Sequence, residues 1–391
     1  MPKNVVLSSK EGNTMYFLDN ASTTKVLAST QEIINKFNTE LFFNPSAKYA
    51  QALNMSKEID LARDTIKDIL NTTSHKVIFT GSATEANNLA ILGSLKTGKE
   101  LIISEGEHSS VYNTAKYLET QGRVVHYIPL NNDGTINEEA FLSAINPATG
   151  VISIIHTSNE TGAINNIERL CKLAKQKNKN VLFHTDIVQA FCKVDVDLEA
   201  FGVDMATISA HKIHGPKGVG ALVTKKEFAL KSIVFGGGQE SGIRSGTENV
   251  SGIVGFANSA KEMFSSLDNN YKKVLEFRSK FIDELNKISN ELGVRCSFNL
   301  SKTNSPYILS LAFWGIRGEI LLHALEKHGV LVGTGSACSS HVKENRVLRS
   351  AQKTYEEIDG NLRISFEPSS CEYDINNIIT MIYDSIKEIK K

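Results

Sequence analysis

The densest chemical signal in the chain is Ser209-Ala210-His211-Lys212-Ile213-His214-Gly215-Pro216-Lys217-Gly218-Val219-Gly220. It follows Met205-Ala206-Thr207-Ile208, an apolar run that reads as a buried strand. Ligands bind at strand ends in open α/β sheets, and a lysine there among small residues and histidines suits a Schiff-base amine. A solvated loop lysine fits the same local composition. Upstream, His184-Thr185-Asp186-Ile187-Val188-Gln189 ends another strand. An aspartate in that position can cap a helix, bind a metal or hold a cationic ring nitrogen. Taken alone, Asp186 reads more simply as a cap.

Two further segments carry reactive residue types. Thr80-Gly81-Ser82-Ala83-Thr84-Glu85-Ala86-Asn87-Asn88 lies between a strand and a helix. Small and hydroxyl residues at a helix start offer free N–H groups and the positive end of the dipole to an anion. Plain capping by Ser82 or Thr84 competes with that reading. Gly333-Thr334-Gly335-Ser336-Ala337-Cys338-Ser339-Ser340 sets one thiol in a loop of small residues. Such a thiol suits a nucleophile that must travel, or is an incidental surface cysteine. A Schiff-base lysine with an acidic partner for a ring nitrogen is the signature of pyridoxal phosphate.

The elements that must position these residues alternate. Val77-Ile78-Phe79, Leu101-Ile102-Ile103, Val124 to Ile128, Val151 to Ile155 and Val181-Leu182-Phe183 read as buried strands beside Met205–Ile208. Ile59 to Leu70 and Ile167 to Lys177 carry helical apolar spacing. Alternation of this kind implies a mostly parallel sheet with helices on both faces. After Gly236-Gly237-Gly238 the pattern changes to a long helical run from about Val254, strands at 308–313 and 362–366, and a terminal helix from Ile375. The expected division is an α/β large domain over 14–255 and a smaller α+β C-terminal domain over 256–391, with residues 1–13 packing on the latter.

Composition limits the function classes. The 391 residues hold 43 Lys+Arg and 43 Asp+Glu, so no bulk charge attracts nucleic acid or an anionic membrane. No apolar run approaches the ~18–20 residues of a membrane span, and the N-terminus lacks a secretory apolar region. A cytoplasmic location is expected. The five cysteines, Cys171, Cys192, Cys296, Cys338 and Cys371, show no CxxC spacing, which argues against a disulfide framework or a zinc site.

In order along the chain stand a phosphate loop, an aspartate, a lysine and a loop cysteine. With Tyr16-Phe17-Leu18-Asp19-Asn20-Ala21-Ser22-Thr23-Thr24, Arg244-Ser245-Gly246-Thr247 and Gly335-Ser336-Ala337-Cys338, the chain resembles the cysteine desulfurases of the class V aminotransferase group. These are fold type I pyridoxal-phosphate enzymes, and the resemblance runs to about Phe366.

The resemblance implies a role for each matching residue. Lys212 bonds the cofactor, His108 stacks on its ring and accepts the substrate's thiol proton, and Asp186 pairs with the ring nitrogen. Asn159 and Gln189 hydrogen-bond around the ring oxygen, and Asn159 also faces substrate. Ala83, Thr84, Ser209 and His211 hold the phosphate, and Thr247 reaches the phosphate of a neighbouring subunit, which implies a homodimer. Arg363 clamps the carboxylate of L-cysteine, and Cys338 takes the sulfur as a persulfide. The products are alanine and sulfur for an acceptor protein, either an iron–sulfur scaffold or a thiolation enzyme. A selenocysteine lyase or another class V enzyme shares most of these residues.

The sequence departs from the family at Tyr49, where a histidine is usual, and at Ile187, where a small residue is usual. The second is expected to tighten the ring pocket.

The thiol separates a desulfurase from a transaminase. In Cys338→Ser, cysteine should still change the cofactor's spectrum, while alanine release and persulfide labelling vanish, because a hydroxyl is too weak a nucleophile. Alanine release near the wild-type rate, or extra sulfur found by mass spectrometry on another cysteine, contradicts this.

Overall fold

The computed structural model describes residues 7–8, 14–335 and 345–390. Cys338 lies outside them, as do Ser336 and Ala337 of its motif. Seven strands form the main sheet, in the spatial order His75–Thr80, Gly220–Lys225, Met205–Ser209, Leu182–Asp186, Thr149–Ser153, Glu100–Ser104, Val125–Ile128. All pairs are parallel except those of Gly220–Lys225, which runs antiparallel to both neighbours. The strands are short apolar runs because helices cover both faces; Met205–Ser209 is buried at every position. Their parallel run brings the C-terminal ends, Ser104, Ser153, Asp186 and Ser209, to one edge.

The helix expected from Ile59 begins at Ala50 and ends at Ile69. Its first turns carry Ser56, Lys57 and Glu58, which hide the stripe, but Ala52, Met55, Ile59, Ala62, Ile66 and Ile69 are buried at steps of three and four. The run expected from Val254 is two helices, Val250–Ser265 and Leu267–Leu292, meeting at Ser266. Gly220–Lys225 is the sheet strand that the apolar pattern leaves out.

Two large apolar cores divide the chain. The first joins the main sheet to its helices and includes Phe256, Ala257, Ala260 and Met263. The second joins Val274, Phe277, Phe281 and Ile288 to the sheet of Cys296–Asn299, Ile308–Phe313 and Asn361–Ser365 and to the terminal helix. The expected boundary at 255/256 therefore falls inside a helix whose buried side packs wholly in the first core. Tyr16 and Leu18 pack in the second core although they precede the main sheet. Strand pairing explains this: Thr14–Phe17 lies parallel to Val330–Leu331, and Leu7–Ser8 adds antiparallel to it. Phe366 stands edge-on to Phe277 and Phe281, with ring centroids 5.5 Å apart in both pairs.

Two core histidines make the fold acid-sensitive. The ring nitrogens of His184 meet Ser153 Oγ at 2.8 Å and Thr207 Oγ1 at 3.0 Å, and burial lowers its pKa to about 3. Burial lowers His156 to about 4. Below the unfolded value of about 6.5 the unfolded chain binds protons that the fold refuses, so stability falls as pH drops from there toward 4. Each histidine contributes about 1.4 kcal/mol per pH unit in that window. The urea midpoint should be lower at pH 5 than at pH 7.5; an unchanged midpoint contradicts this.

Candidate active site

The Met205–Ser209 strand ends in one tight turn, Ala210–Lys212. Gly215 packs so closely there that a Cβ would stand 2.9 Å from Ala210. The turn points Lys212 at the 19–24 segment, where its Nζ donates to the carbonyls of Ala21 and Ser22, each at 2.6 Å. Gln189 Nε2 donates to the same Ala21 carbonyl at 3.0 Å. One backbone oxygen thus brings two of the expected residues together.

Asp186 ends its strand 3 % exposed. Its Oδ1 accepts from Val188 N–H at 3.0 Å and its Oδ2 from Asn87 Nδ2 at 2.8 Å. Asn87 Nδ2 also donates to Ser110 Oγ at 2.8 Å, and Ser110 Oγ lies 2.8 Å from His108 Nδ1. The backbone N–H of Ser110 also donates to that Nδ1, at 3.2 Å. Nδ1 is therefore the acceptor, and the neutral ring carries its proton on Nε2. Burial lowers the His108 pKa first, with Asp186 opposing and Lys212 adding to the effect, so the ring is neutral at pH 7.

An anion cradle lies beside this chain. Ser82 Oγ caps the Ala83–Ser94 helix by accepting from Glu85 N–H at 3.2 Å, which leaves the first-turn N–H groups pointing outward. Gly220 lets the neighbouring strand approach: a Cβ there would lie 2.6 Å from Ser82 C and 2.7 Å from Ala83 N. A cavity of about 350 Å³ opens here, lined by Ser22, Thr23, Ser82, Ser209, His211 and Lys217 among others. Burial, then Lys212 and Lys217, lower the His211 pKa to about 4.

Arg363, 7 % exposed, comes from the second core's sheet. Its Nη2 donates to Asp19 Oδ1 at 2.9 Å and its Nη1 to the Asn159 carbonyl at 3.0 Å, while Nε is buried without a partner among the described residues. Asn159 Nδ2 donates to Glu160 Oε1 at 2.9 Å. Asn345 Nδ2 donates to Glu160 Oε2 at 3.4 Å, and a Cβ on Gly335 would lie 2.6 Å from that oxygen. The two residues that flank positions 336–344 thus both stand against Glu160, beside Arg363.

The expected residues fall into joined groups: Lys212 with Gln189, Asp186 with His108, Ser209 with His211, and Arg363 with Asn159. Ala83 starts the cradle helix, and Thr84 is exposed on its first turn with its carbonyl accepting from Asn88 at 2.8 Å. Thr247 is exposed and shares no described contact with these groups, although nearby Arg244 pairs with Glu85 at 2.7 Å. Ile187 is fully buried in the first core. Tyr49 is half exposed and edge-on to Phe43.

Sequence reasoning missed Asn87, Ser110, Asp19 and Glu160. Asn87 and Asp19 lie inside segments singled out for other residues, and only the fold shows that they face Asp186 and Arg363. Among the described residues no cluster could hold a metal ion.

A family model of class V aminotransferases matches residues 16–378. The chain belongs to the class V aminotransferase family. It is 33 % identical over 381 residues to the cysteine desulfurase IscS of Clostridium botulinum, covering 96 % of this chain and 95 % of that one. A solved structure described as a NifS-like protein superposes with a TM-score of 0.87 at 30 % identity, covering 96 % of this chain and all of its own. A third relative, SspA in complex with cysteine, gives a TM-score of 0.78 at 30 % identity over 90 % of this chain and 99 % of its own. Desulfurases within the class V family thus match the chain across nearly its whole length.

The close approach at Gly220 should tolerate no side chain. Gly220→Ala is expected to cost about 1–3 kcal/mol of stability, read from urea unfolding, because backbone atoms must move. A loss below about 0.5 kcal/mol contradicts the packing of strand on helix start.

Proposed function

We propose that the chain is a cysteine desulfurase that uses pyridoxal phosphate to take sulfur from L-cysteine, giving alanine and a persulfide on Cys338. One observation carries the reading. Asp186 is a buried carboxylate whose described hydrogen-bond donors are both neutral, Asn87 and the Val188 N–H. A carboxylate so placed is costly unless a cation faces it. A protonated pyridine nitrogen fits that requirement, and the neighbouring groups fit the rest of the same molecule. The Ala83–Ser94 helix start, Ser209 and His211 suit its phosphate, Gln189 and Asn159 its ring oxygen, His108 its face, and Lys212 its carbonyl carbon.

When bound, the cofactor supplies an electron sink for charge developing at the substrate's Cα. Asp186 keeps the ring nitrogen protonated. Lys212, whose turn fixes Nζ above the Ala21 and Ser22 carbonyls, moves the Cα proton. Arg363 binds the substrate carboxylate, for which it must exchange Asp19 or use its Nε, which has no partner among the described residues. His108 takes the substrate thiol proton only after Ser110 releases Nδ1. The Cys338 thiolate then forms an S–S bond to the substrate sulfur as the C–S bond breaks, and the carbon skeleton takes up the electron pair and protons to become alanine.

The identity of the substrate is supported by the cysteine-bound relative. A second copy of the chain supplies Thr247 to the phosphate, a role consistent with its exposure here and with the exposed Phe42 and Phe235. The acceptor is a protein, an iron–sulfur scaffold or a thiolation enzyme, reached in the cytoplasm. Among the described residues no helix is long and apolar enough to cross a membrane.

Lys212→Ala tests the anchor. Borohydride should no longer fix the cofactor to the protein, and alanine release should fall by about 10²-fold or more. A reduced lysyl adduct that persists in this variant assigns the role to another lysine.

A further inference from the structure

Lys193 is a buried amine to which the proposed reaction gives no task. It is 5 % exposed and follows Gln189 by one turn of backbone that winds from Ile187 to Val194. Its Nζ donates to Gln189 Oε1 at 3.2 Å. The other edge of the same amide, Nε2, donates to the Ala21 carbonyl that also accepts from Lys212. The side chains therefore form one line: Lys193, the Gln189 amide, the Ala21 carbonyl, Lys212. The Tyr307 ring centroid lies 5.9 Å from Lys193 Nζ. The charged and titratable groups around it are Lys212, His211, Glu367, Cys192 and Tyr307, and among the described residues no carboxylate is in hydrogen-bonding contact with it. Burial, reinforced by Lys212, brings its pKa down to about 7.

Stability does not account for such a residue. A lysine amine buried beside another cation costs free energy that a methionine of similar length would not, whether it stays charged or gives up its proton. What it does supply is direction. The oxygen and nitrogen ends of a glutamine amide are nearly equal in shape, so packing alone does not choose between them. An amine donor on one side does: its N–H reaches the oxygen edge, and when protonated its charge also repels the NH₂ edge.

We propose that Lys193 is a positioning residue that locks the Gln189 amide, holding its oxygen edge so that its NH₂ edge faces Ala21 and the cofactor's ring oxygen. The inference rests on the pyridoxal-phosphate reading of the site and adds to it a residue outside the expected set. It acts through Gln189 alone, so its effect must disappear when that amide is removed.

The test uses the full-length protein and its Lys193→Met, Gln189→Ala and doubly substituted variants. Three quantities are read: urea stability of the cofactor-free form, the dissociation constant for pyridoxal phosphate, and the visible absorbance maximum of the loaded protein. Lys193→Met should keep or raise the cofactor-free stability, weaken cofactor binding about 5–20-fold, and shift the absorbance maximum in the direction that Gln189→Ala does. In the Gln189→Ala background the same substitution should change affinity less than twofold. Lys193→Gln, shorter and uncharged, supplies the comparison if the methionine variant does not fold. Wild-type affinity and spectrum in a folded Lys193 variant overturn the inference, as do two effects that simply multiply. Loss of cofactor-free stability in both variants, without selective loss of affinity, also overturns it. In each of these cases the wild-type protein still binds the cofactor and the proposed function stands. A wild-type protein that binds no pyridoxal phosphate removes both.

Discussion

A carboxylate buried at the end of a central strand is the constraint around which this site is arranged. Asp186 is held from one side by the backbone of its own turn and from the other by Asn87, on the helix that also forms the anion cradle. The same Asn87 amide reaches Ser110 and through it His108. Moving any one of these groups moves the others, so Asp186, His108 and the start of the Ala83–Ser94 helix are set by one short network. Hydrogen bonds joined in series in a low-dielectric setting restrain one another, which is what a preorganised site requires, although Asn87 Oδ1 is buried without a partner among the described residues.

The second organising element is the 19–24 segment. It leaves the second core at Leu18 and crosses to the first, and along the way it spends its polar groups on the site. Asp19 pairs with Arg363, Asn20 Nδ2 donates to the Ser365 carbonyl, Ala21 and Ser22 receive Lys212, and Thr24 Oγ1 receives the His214 N–H. The residues proposed to bind substrate and cofactor arise from different cores, and this stretch of backbone holds them in one geometry. That economy suits a reaction in which a carboxylate clamp and a lysine must address the same Cα.

Much of this was legible in the sequence because the relevant signals are local. The parallel sheet follows from short apolar runs separated by amphipathic stretches, and the strand-end positions of Asp186 and Lys212 follow from the same pattern. What escaped notice depends on tertiary contact. Gly220–Lys225 joins the sheet antiparallel and starts at a glycine chosen for close approach, which apolar spacing does not register. The polar run Ser56-Lys57-Glu58 separates the first turns of the Ala50–Ile69 helix from the later apolar stripe in sequence. Asn87, Asp19 and Glu160 are ordinary polar residues until the fold places each against a partner more than 90 positions away. Ile187, next to Asp186 in sequence, is buried in the first core.

The central claim is that Asp186 keeps the cofactor's ring nitrogen protonated. The direct measurement is the nitrogen-15 NMR spectrum of the protein loaded with ring-labelled pyridoxal phosphate, recorded at neutral and mildly alkaline pH. The account predicts a pyridinium shift with an attached proton across that range in the wild type, and loss of that proton in Asp186→Asn. A neutral pyridine nitrogen in the wild-type protein would contradict it.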